Sequence, residues 1–334
     1  MSSSAQQLKA QLRAYALDEL GFDLFGVTTA EPVEGAQHLK RWISRGYHGE
    51  MSYMAATADV RGVPRHLLPD AQSVICVACA YHDPTDAPLP PGHGRVARYA
   101  RRRDYHRVIK KKLIRLGRKL QQWVSEARWR AVVDSAPLLE RELAQRAGLG
   151  WIGKNTCVIN RQLGSELLLG ELLTSVALPP DEPATDHCGK CTACLDACPT
   201  KAFIAPYQLD ARRCIAYLTI EHKSPFDRCR PPELAGNLFG CDACQTCCPW
   251  NRHAPVRVNP SLPSLPHLAS LPLAPLAQLQ EAEWRALSQG TPLARLHFRR
   301  LRRNLEVLLA PDGIKSSVSE DPFRETDVEP AAEL

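Results

Sequence analysis

No stretch of this sequence is long and apolar enough to cross a membrane. The richest apolar run, Leu167-Leu168-Leu169-Gly170-Glu171-Leu172-Leu173, is broken by a carboxylate. The first residues, Met1 to Gln7, carry neither the basic patch nor the apolar segment of an export leader. The expectation is a soluble chain in the cytoplasm with no membrane partner. A reducing compartment argues in turn against a disulfide framework, despite thirteen cysteines in 334 residues. Negative charge is scarce in one long segment, where Asp104 is the single acidic residue. Eleven cations between Arg98 and Lys119, among them Arg101, Arg102, Arg103, Lys110 and Lys111, have no interleaved Glu. That argues against a helix laced with its own ion pairs and for a face turned towards a phosphate backbone.

The acidic residues collect instead at the end of the chain. Residues 311–334 carry a net charge of −5, which leaves +11 on the remainder of a chain whose total is +6. The body is expected to face a polyanion, and the tail to be solvated and disordered.

Hydrophobic residues make up 44% of the chain, enough for real cores in two domains with an appendage. Apolar spacing predicts a helix over 5–19, a short strand over 21–27 and a helix over 35–45. Residues 73–81 read as a buried strand, with Cys76 and Cys79 as inert thiols inside it. A strand over 129–133 delivers Asp134 to its end, ahead of a helix over 138–147. A carboxylate in that place reads either as a helix cap or as a catalytic group. The turn Gly148 to Thr156 is glycine-rich, yet it matches no phosphate loop. Strands near 156–160 and 166–178 complete a first domain, 1–180. A cysteine-rich domain follows at 181–255. Leu-Pro steps over 256–280 predict an irregular linker, and a helix pair, 280–288 and 292–309, ends the region 256–310. Arg299, Arg300 and Arg303 make the second of these helices basic.

The chemistry-bearing pattern lies between Cys188 and Cys248. Cys188, Cys191, Cys194 and Cys198-Pro199 form a C-x2-C-x2-C-x3-C-P run, and Cys241, Cys244, Cys247 and Cys248-Pro249 form a second, C-x2-C-x2-C-C-P. Three closely spaced thiolates wrap one face of an iron–sulfur cubane, while the cysteine before proline serves the other cluster. Cys188, Cys191, Cys194 and Cys248 should hold one [4Fe-4S] cluster. Cys198, Cys241 and Cys244 should hold the second, with Cys214 and Cys247 both in reach of its fourth place. Zinc, which takes paired C-x2-C ligands, fits two runs of three poorly.

Further pieces complete a recognisable set: Gly49-Glu50-Met51-Ser52-Tyr53-Met54; Arg98-Tyr99 with Asp104-Tyr105-His106; Val133-Asp134-Ser135-Ala136-Pro137; Gly150-Trp151-Ile152-Gly153-Lys154-Asn155; Gly164-Ser165; Tyr217 to Lys223; and Pro249-Trp250-Asn251. With the cysteine runs they resemble the epoxyqueuosine reductases, cobalamin-dependent iron–sulfur enzymes acting on tRNA. The resemblance covers about residues 20–310. It implies an α+β fold. An N-terminal α/β cobalamin-binding domain related to reductive dehalogenases would stand beside a bacterial two-cluster ferredoxin domain and short C-terminal HEAT-like helices. It assigns Cys214, rather than Cys247, to the second cluster. One departure is Glu166, where the family usually has Trp.

The implied reaction converts the epoxide of a modified base in the tRNA anticodon loop into an alkene. It takes two electrons and two protons and releases water. Two [4Fe-4S] clusters would pass electrons from an external donor, such as a ferredoxin or flavodoxin, to base-off cobalamin. Asp134 would be the proton donor, its pKa raised by burial against the corrin, with Tyr105 assisting. Lys154, Asn155, Gly164, Ser165, Asp242 and Gln245 would line the cofactor, and His222 and Lys223 would meet the tRNA. His106 is expected not to ligate cobalt, because Ile109 stands where the cobalt-histidine motif needs Gly. A monomer is expected. A reductase of a small organic substrate and a simple ferredoxin-like carrier are the alternatives.

Overall fold

The computed structural model describes residues 3–83, 88–257 and 259–310. The acidic tail, expected to be disordered, lies outside them. At the centre is the strand Ser73–Ala80, all eight residues of which are buried. It pairs with Leu24–Thr29 on one side and Leu167–Thr174 on the other, and Trp129–Val132 adds the fourth strand beyond. Every pairing is antiparallel. Helices cover both faces, and this explains why the central strand reads as one apolar run rather than an alternation. Ile109, Leu113, Leu116 and Leu120 of the helix Tyr105–Trp123 pack on one face with Leu12 and Ala16 of the first helix. Leu143 and Ala144 of the helix Glu140–Arg146 pack on the other. Gly170 permits the first contact, since a Cβ there would lie 2.5 Å from Ile109.

Cys76 and Cys79 point to opposite faces of this sheet and are buried. Burial pushes the Cys79 thiol up to about 12 and that of Cys76 well above its usual value. Neither is a reactive thiolate. The helix expected over 5–19 is α-helical over Ser3–Ala14 and continues as a π-turn over Tyr15–Glu19.

A second sheet ties the three regions of the chain together. His93–Val96 lies between Asn237–Phe239, parallel to it, and Ser270–Pro272, antiparallel. The expected linker over 256–280 therefore needs correction, since it contributes an edge strand and the helix Leu273–Gln278. Its Leu-Pro steps suit an edge, where a proline need not donate a ladder hydrogen bond. Leu268, Leu271, Leu273 and Leu276 then enter a core with Trp284, Leu301 and Leu305 of the terminal helices Glu281–Ser288 and Phe298–Leu308. The Trp284 indole N–H donates to the Leu296 carbonyl at 2.9 Å, fixing the pair.

Candidate active site

The helix Tyr105–Trp123 begins beside the sheet end that carries Asp134. Asp104 caps it, accepting from the His106 backbone N–H at 3.1 Å. The same carboxylate lies 2.6 Å from His106 Nδ1, and the other ring nitrogen, Nε2, lies 2.7 Å from Asp134 Oδ2. The imidazole is thus gripped between two carboxylates. Tyr105 stacks on the ring at a centroid distance of 3.9 Å, and Arg295 reaches within 3.8 Å of Asp134 Oδ2. The Asp134 side chain is 42% exposed, so it is the open end of the array.

Burial opposes a charge on His106, but hydrogen bonds to Asp104 and Asp134 and the Asp134 charge outweigh it and raise its pKa. Desolvation likewise pushes the Asp134 carboxyl up, but the hydrogen bond and charge of His106, then Arg295 and Tyr105, bring it below the usual range. The rise expected on burial against the corrin concerns the loaded site; in the chain alone the two shifts together favour the proton on the imidazole. Burial, followed by the Asp134 charge, raises the Tyr105 hydroxyl far above its ordinary value, so it stays protonated.

Asp134 has φ 42, the left-handed region that a residue with a Cβ seldom adopts. Beneath it, Glu171 stands opposite Val132 in the sheet, with 1% of its surface exposed. Burial, then the charges of Glu140 and Asp134, raise the Glu171 carboxyl well above its usual value. Ionising it costs the native state more than the unfolded chain. Its penalty therefore begins above the unfolded pKa, about 4.3, and grows as pH rises towards the native value. Glu171→Gln is expected to raise the melting temperature, by more at alkaline pH than at mildly acidic pH; thermal unfolding across pH checks this.

The cysteines fall into two sets. Burial and then the neighbours Cys247, Cys248 and Cys188 push Cys194 up to about 11. Burial does the same to Cys241, with Cys214 and Cys198 adding to it. Cys244 has Cys157, Cys214 and Cys241 around it. A cavity of about 220 Å³ is bounded by Cys188, Cys191, Cys194 and Cys248 together with Trp250. Among the described residues no three His, Cys, Asp or Glu side chains converge on a single-ion point. Each set has a fifth thiol beside it. Cys247, the spare of the second run, lies beside Cys248 and Cys191, and Cys157, which carries no spacing signal, bonds to Cys244.

The residues expected to line a cofactor join the sheet domain to this cysteine-rich unit. The Lys154 ammonium donates to the Gly189 and Cys191 carbonyls at 2.7 and 2.9 Å. Asn155 donates to the Cys244 carbonyl at 3.2 Å. The Ser165 hydroxyl donates to Gln245 at 3.1 Å, and its N–H to Asn251 at 2.6 Å. Gly164 packs so close that a Cβ would lie 2.0 Å from Asn251 Oδ1. Asp242, raised to about 6 by burial, accepts from the Arg98 N–H at 2.8 Å. Glu166 is absorbed by an ion pair with Arg98 at 2.5 Å and a bond to His82 at 3.0 Å.

Residues 61–135 match the family model described as epoxyqueuosine reductase QueG, DUF1730, and residues 187–251 match a 4Fe-4S double cluster binding domain. The epoxyqueuosine reductase of Pseudomonas aeruginosa is 46% identical, over 86% of this chain and 81% of that protein. The Escherichia coli enzyme is 39% identical over 91% and 81%. The chain belongs to the epoxyqueuosine reductase family. A solved epoxyqueuosine reductase in complex with an epoxyqueuosine-modified tRNA-Tyr stem loop superposes with a TM-score of 0.80, at 32% identity, over 90% of this chain and 80% of that one. The Bacillus subtilis enzyme, in a structure whose aspartate catalytic loop is swung out of the active site, superposes at 0.78 with 32% identity. Like its relatives the chain is an oxidoreductase with an iron–sulfur domain. None of its described helices is long and apolar enough to cross a membrane.

For an epoxyqueuosine reductase the placement of the cations matters. Arg101 and Arg102 are buried, and they donate to the Val96, Leu262 and Tyr81 carbonyls. Arg303 is buried too, spending its donors on the Leu218, His222 and Ser224 carbonyls. These three are corrected from phosphate contacts to structural residues, since a guanidinium under the surface satisfies backbone oxygens instead. Arg103, Lys110, Lys111 and Arg299 are exposed, while Arg300 bonds the Ile220 carbonyl. A groove of about 560 Å³ runs between Lys223, Phe226, Arg299 and Arg302. His222 and Lys223 stand at its edge, held from the far side by Glu50, whose carboxylate accepts from the Lys223 N–H and lies 3.4 Å from His222. Burial lowers the His222 pKa, so it is neutral and stacks on Phe226 at 5.2 Å.

His106, Asp104 and Glu140 were not expected as site residues. The spacing Asp104-Tyr105-His106 holds part of the signal. Its partner Asp134 lies 28 residues on and is brought there by the sheet.

Proposed function

We propose that this chain reduces epoxyqueuosine to queuosine in tRNA, with His106 and Asp134 as its proton-delivering pair. The observation that carries this is the 2.7 Å bond from the His106 ring to an Asp134 carboxylate open to solvent. Cys188, Cys191, Cys194 and Cys248 would hold one [4Fe-4S] cluster, and Cys198, Cys214, Cys241 and Cys244 the other. Base-off cobalamin would lie against the open Asp134 face. Both ring nitrogens of His106 are already engaged by carboxylates, which supports a site that would hold the group without a histidine ligand. When bound, cobalamin would supply the reducing equivalents at the epoxide. The chain's own residues do the rest. Asp134 takes the proton of His106 and passes it to the departing oxygen. Asp104 fixes the ring and favours its charged form. Tyr105, kept protonated, donates towards the same carboxylate. Lys110, Lys111 and Arg299 would hold phosphates, and the groove at Lys223 would receive the anticodon arm.

The raised His106 pKa sets the pH dependence. The protonated ring persists above its usual value of about 6.5, so single-turnover reduction should fall on the alkaline side, as pH rises through the native value. Asp104 and Asp134 are lowered, so the pair survives well into mildly acidic pH. His106→Asn should slow the reaction and abolish that alkaline fall; an unchanged profile contradicts the pair.

Affinity for the stem loop should drop steeply with salt. Arg299→Ala and Lys111→Ala should weaken binding several-fold and flatten the salt slope, each by about one phosphate. Arg102→Ala should instead lower the melting temperature. Binding titrations at several salt concentrations, with thermal unfolding, separate the two outcomes.

A further inference from the structure

We infer that Glu140 is the positioning residue for Asp134: its carboxylate holds the backbone of the 134–140 loop in the conformation that aims the acid. This rests on the proton-donor reading of Asp134. The left-handed backbone at Asp134 is one that a residue with a side chain seldom adopts, and it persists only where its surroundings hold it. The His106 bond holds the carboxylate and leaves the backbone free to turn. The backbone restraint comes from Glu140 Oε2, which accepts from the Asp134 N–H at 3.2 Å. Six residues downstream, the side chain reaches back and closes the loop on itself.

At the near end the Ser135 hydroxyl donates only weakly, to the Val133 carbonyl at 3.4 Å, and the loop's other anchors lie at its far end. The Leu139 N–H donates to the Arg61 carbonyl at 3.1 Å, and the Leu138 N–H to Ala136 at 2.8 Å. Leu138 and Leu143 sit in the core beneath. Glu140 is thus the contact that carries their rigidity to the catalytic residue. A carboxylate accepts an N–H more strongly than a carboxylic acid does.

Charged and titratable groups face Glu140 from every side. Asp134 and His106 lie in front, Arg141 beside it, and the buried Glu171 behind; Arg61 and Tyr105 feel its charge across the loop. Burial, then Asp134, raise Glu140 to about 7. The hold on Asp134 should therefore tighten as pH rises through neutrality. Turnover then describes a bell, with Glu140 on the acid limb and His106 on the alkaline one.

Two variants test this. Glu140→Gln keeps a carbonyl acceptor and removes the titration, whereas Glu140→Ala removes the acceptor. Expected for Glu140→Ala is a fall in kcat of about ten- to a hundred-fold with KM for the stem loop little changed. Amide exchange in the cofactor-free chain should quicken over residues 134–139 and not elsewhere. Glu140→Gln should recover most of kcat, restore the exchange protection and lose the acid limb. Exchange and kcat at wild-type levels in Glu140→Ala would overturn the inference. So would a Glu140→Gln chain that behaves as Glu140→Ala, or slowed exchange spread over the whole fold. Asp134→Asn, run alongside, keeps the two readings apart. If Asp134→Asn is inactive while Glu140→Ala is normal, only this inference fails. If Asp134→Asn turns over normally, the proton-donor reading fails first.

Discussion

Asp134→Asn is expected to bind cobalamin and the stem loop as the native chain does, yet lose turnover by about 10²–10⁴-fold. Asparagine keeps the volume and can accept the His106 N–H through its amide oxygen, so the array should stay assembled. It cannot take up the His106 proton and pass it to the departing oxygen. The open position of Asp134 gives its carboxylate no packing role that the substitution would disturb. A loss in kcat with unchanged corrin absorbance and unchanged stem-loop affinity is the expected outcome. A matching loss of cofactor would instead make Asp134 a binding residue.

The second large effect concerns the competition between Cys214 and Cys247. Cys214 lies among the thiols of the second set, with Cys198 and Cys157 as neighbours. Cys247 lies beside Cys248 and Cys191 of the first, its thiol donating to the Ala193 and Cys244 carbonyls. Cys214→Ser should therefore remove about half the iron and abolish turnover, because one of two cubanes loses a ligand. Cys247→Ser should leave iron content and turnover near the native level. Iron and acid-labile sulfide, measured after anaerobic preparation, decide between them. An iron loss in Cys247→Ser of the size expected for Cys214→Ser would reverse the ligand assignment.

Much of this was legible in the sequence because the signals are local. The cysteine runs are read by spacing, and the central strand by its unbroken apolar stretch. Asp134 stands at the end of a recognisable strand. What was not legible depends on contacts between distant residues. Nothing near Arg101, Arg102 or Arg303 says that their guanidinium groups turn inward to backbone carbonyls, since composition cannot separate a cation that faces phosphate from one that faces a turn. The Leu-Pro steps over 256–280 read as a linker because the strand that they pair with lies about 175 residues earlier, at His93–Val96. The Asp134 pKa was expected to rise on burial against the corrin, whereas the opposing hold of His106 comes from a residue 28 positions away. Glu140 and Glu171 are ordinary helix and strand positions in the sequence, and only the fold sets both behind the acid.

The account turns on whether a proton held between His106 and Asp134 completes a cobalamin-dependent reduction of the modified base. The direct test is a single turnover on an epoxyqueuosine stem loop by the reduced chain, with and without cobalamin, reading the nucleoside by mass. The account predicts loss of one oxygen atom from the base only when cobalamin is present, at a rate that falls as pH rises past the His106 titration. Conversion without cobalamin, or a rate indifferent to that titration, would contradict it.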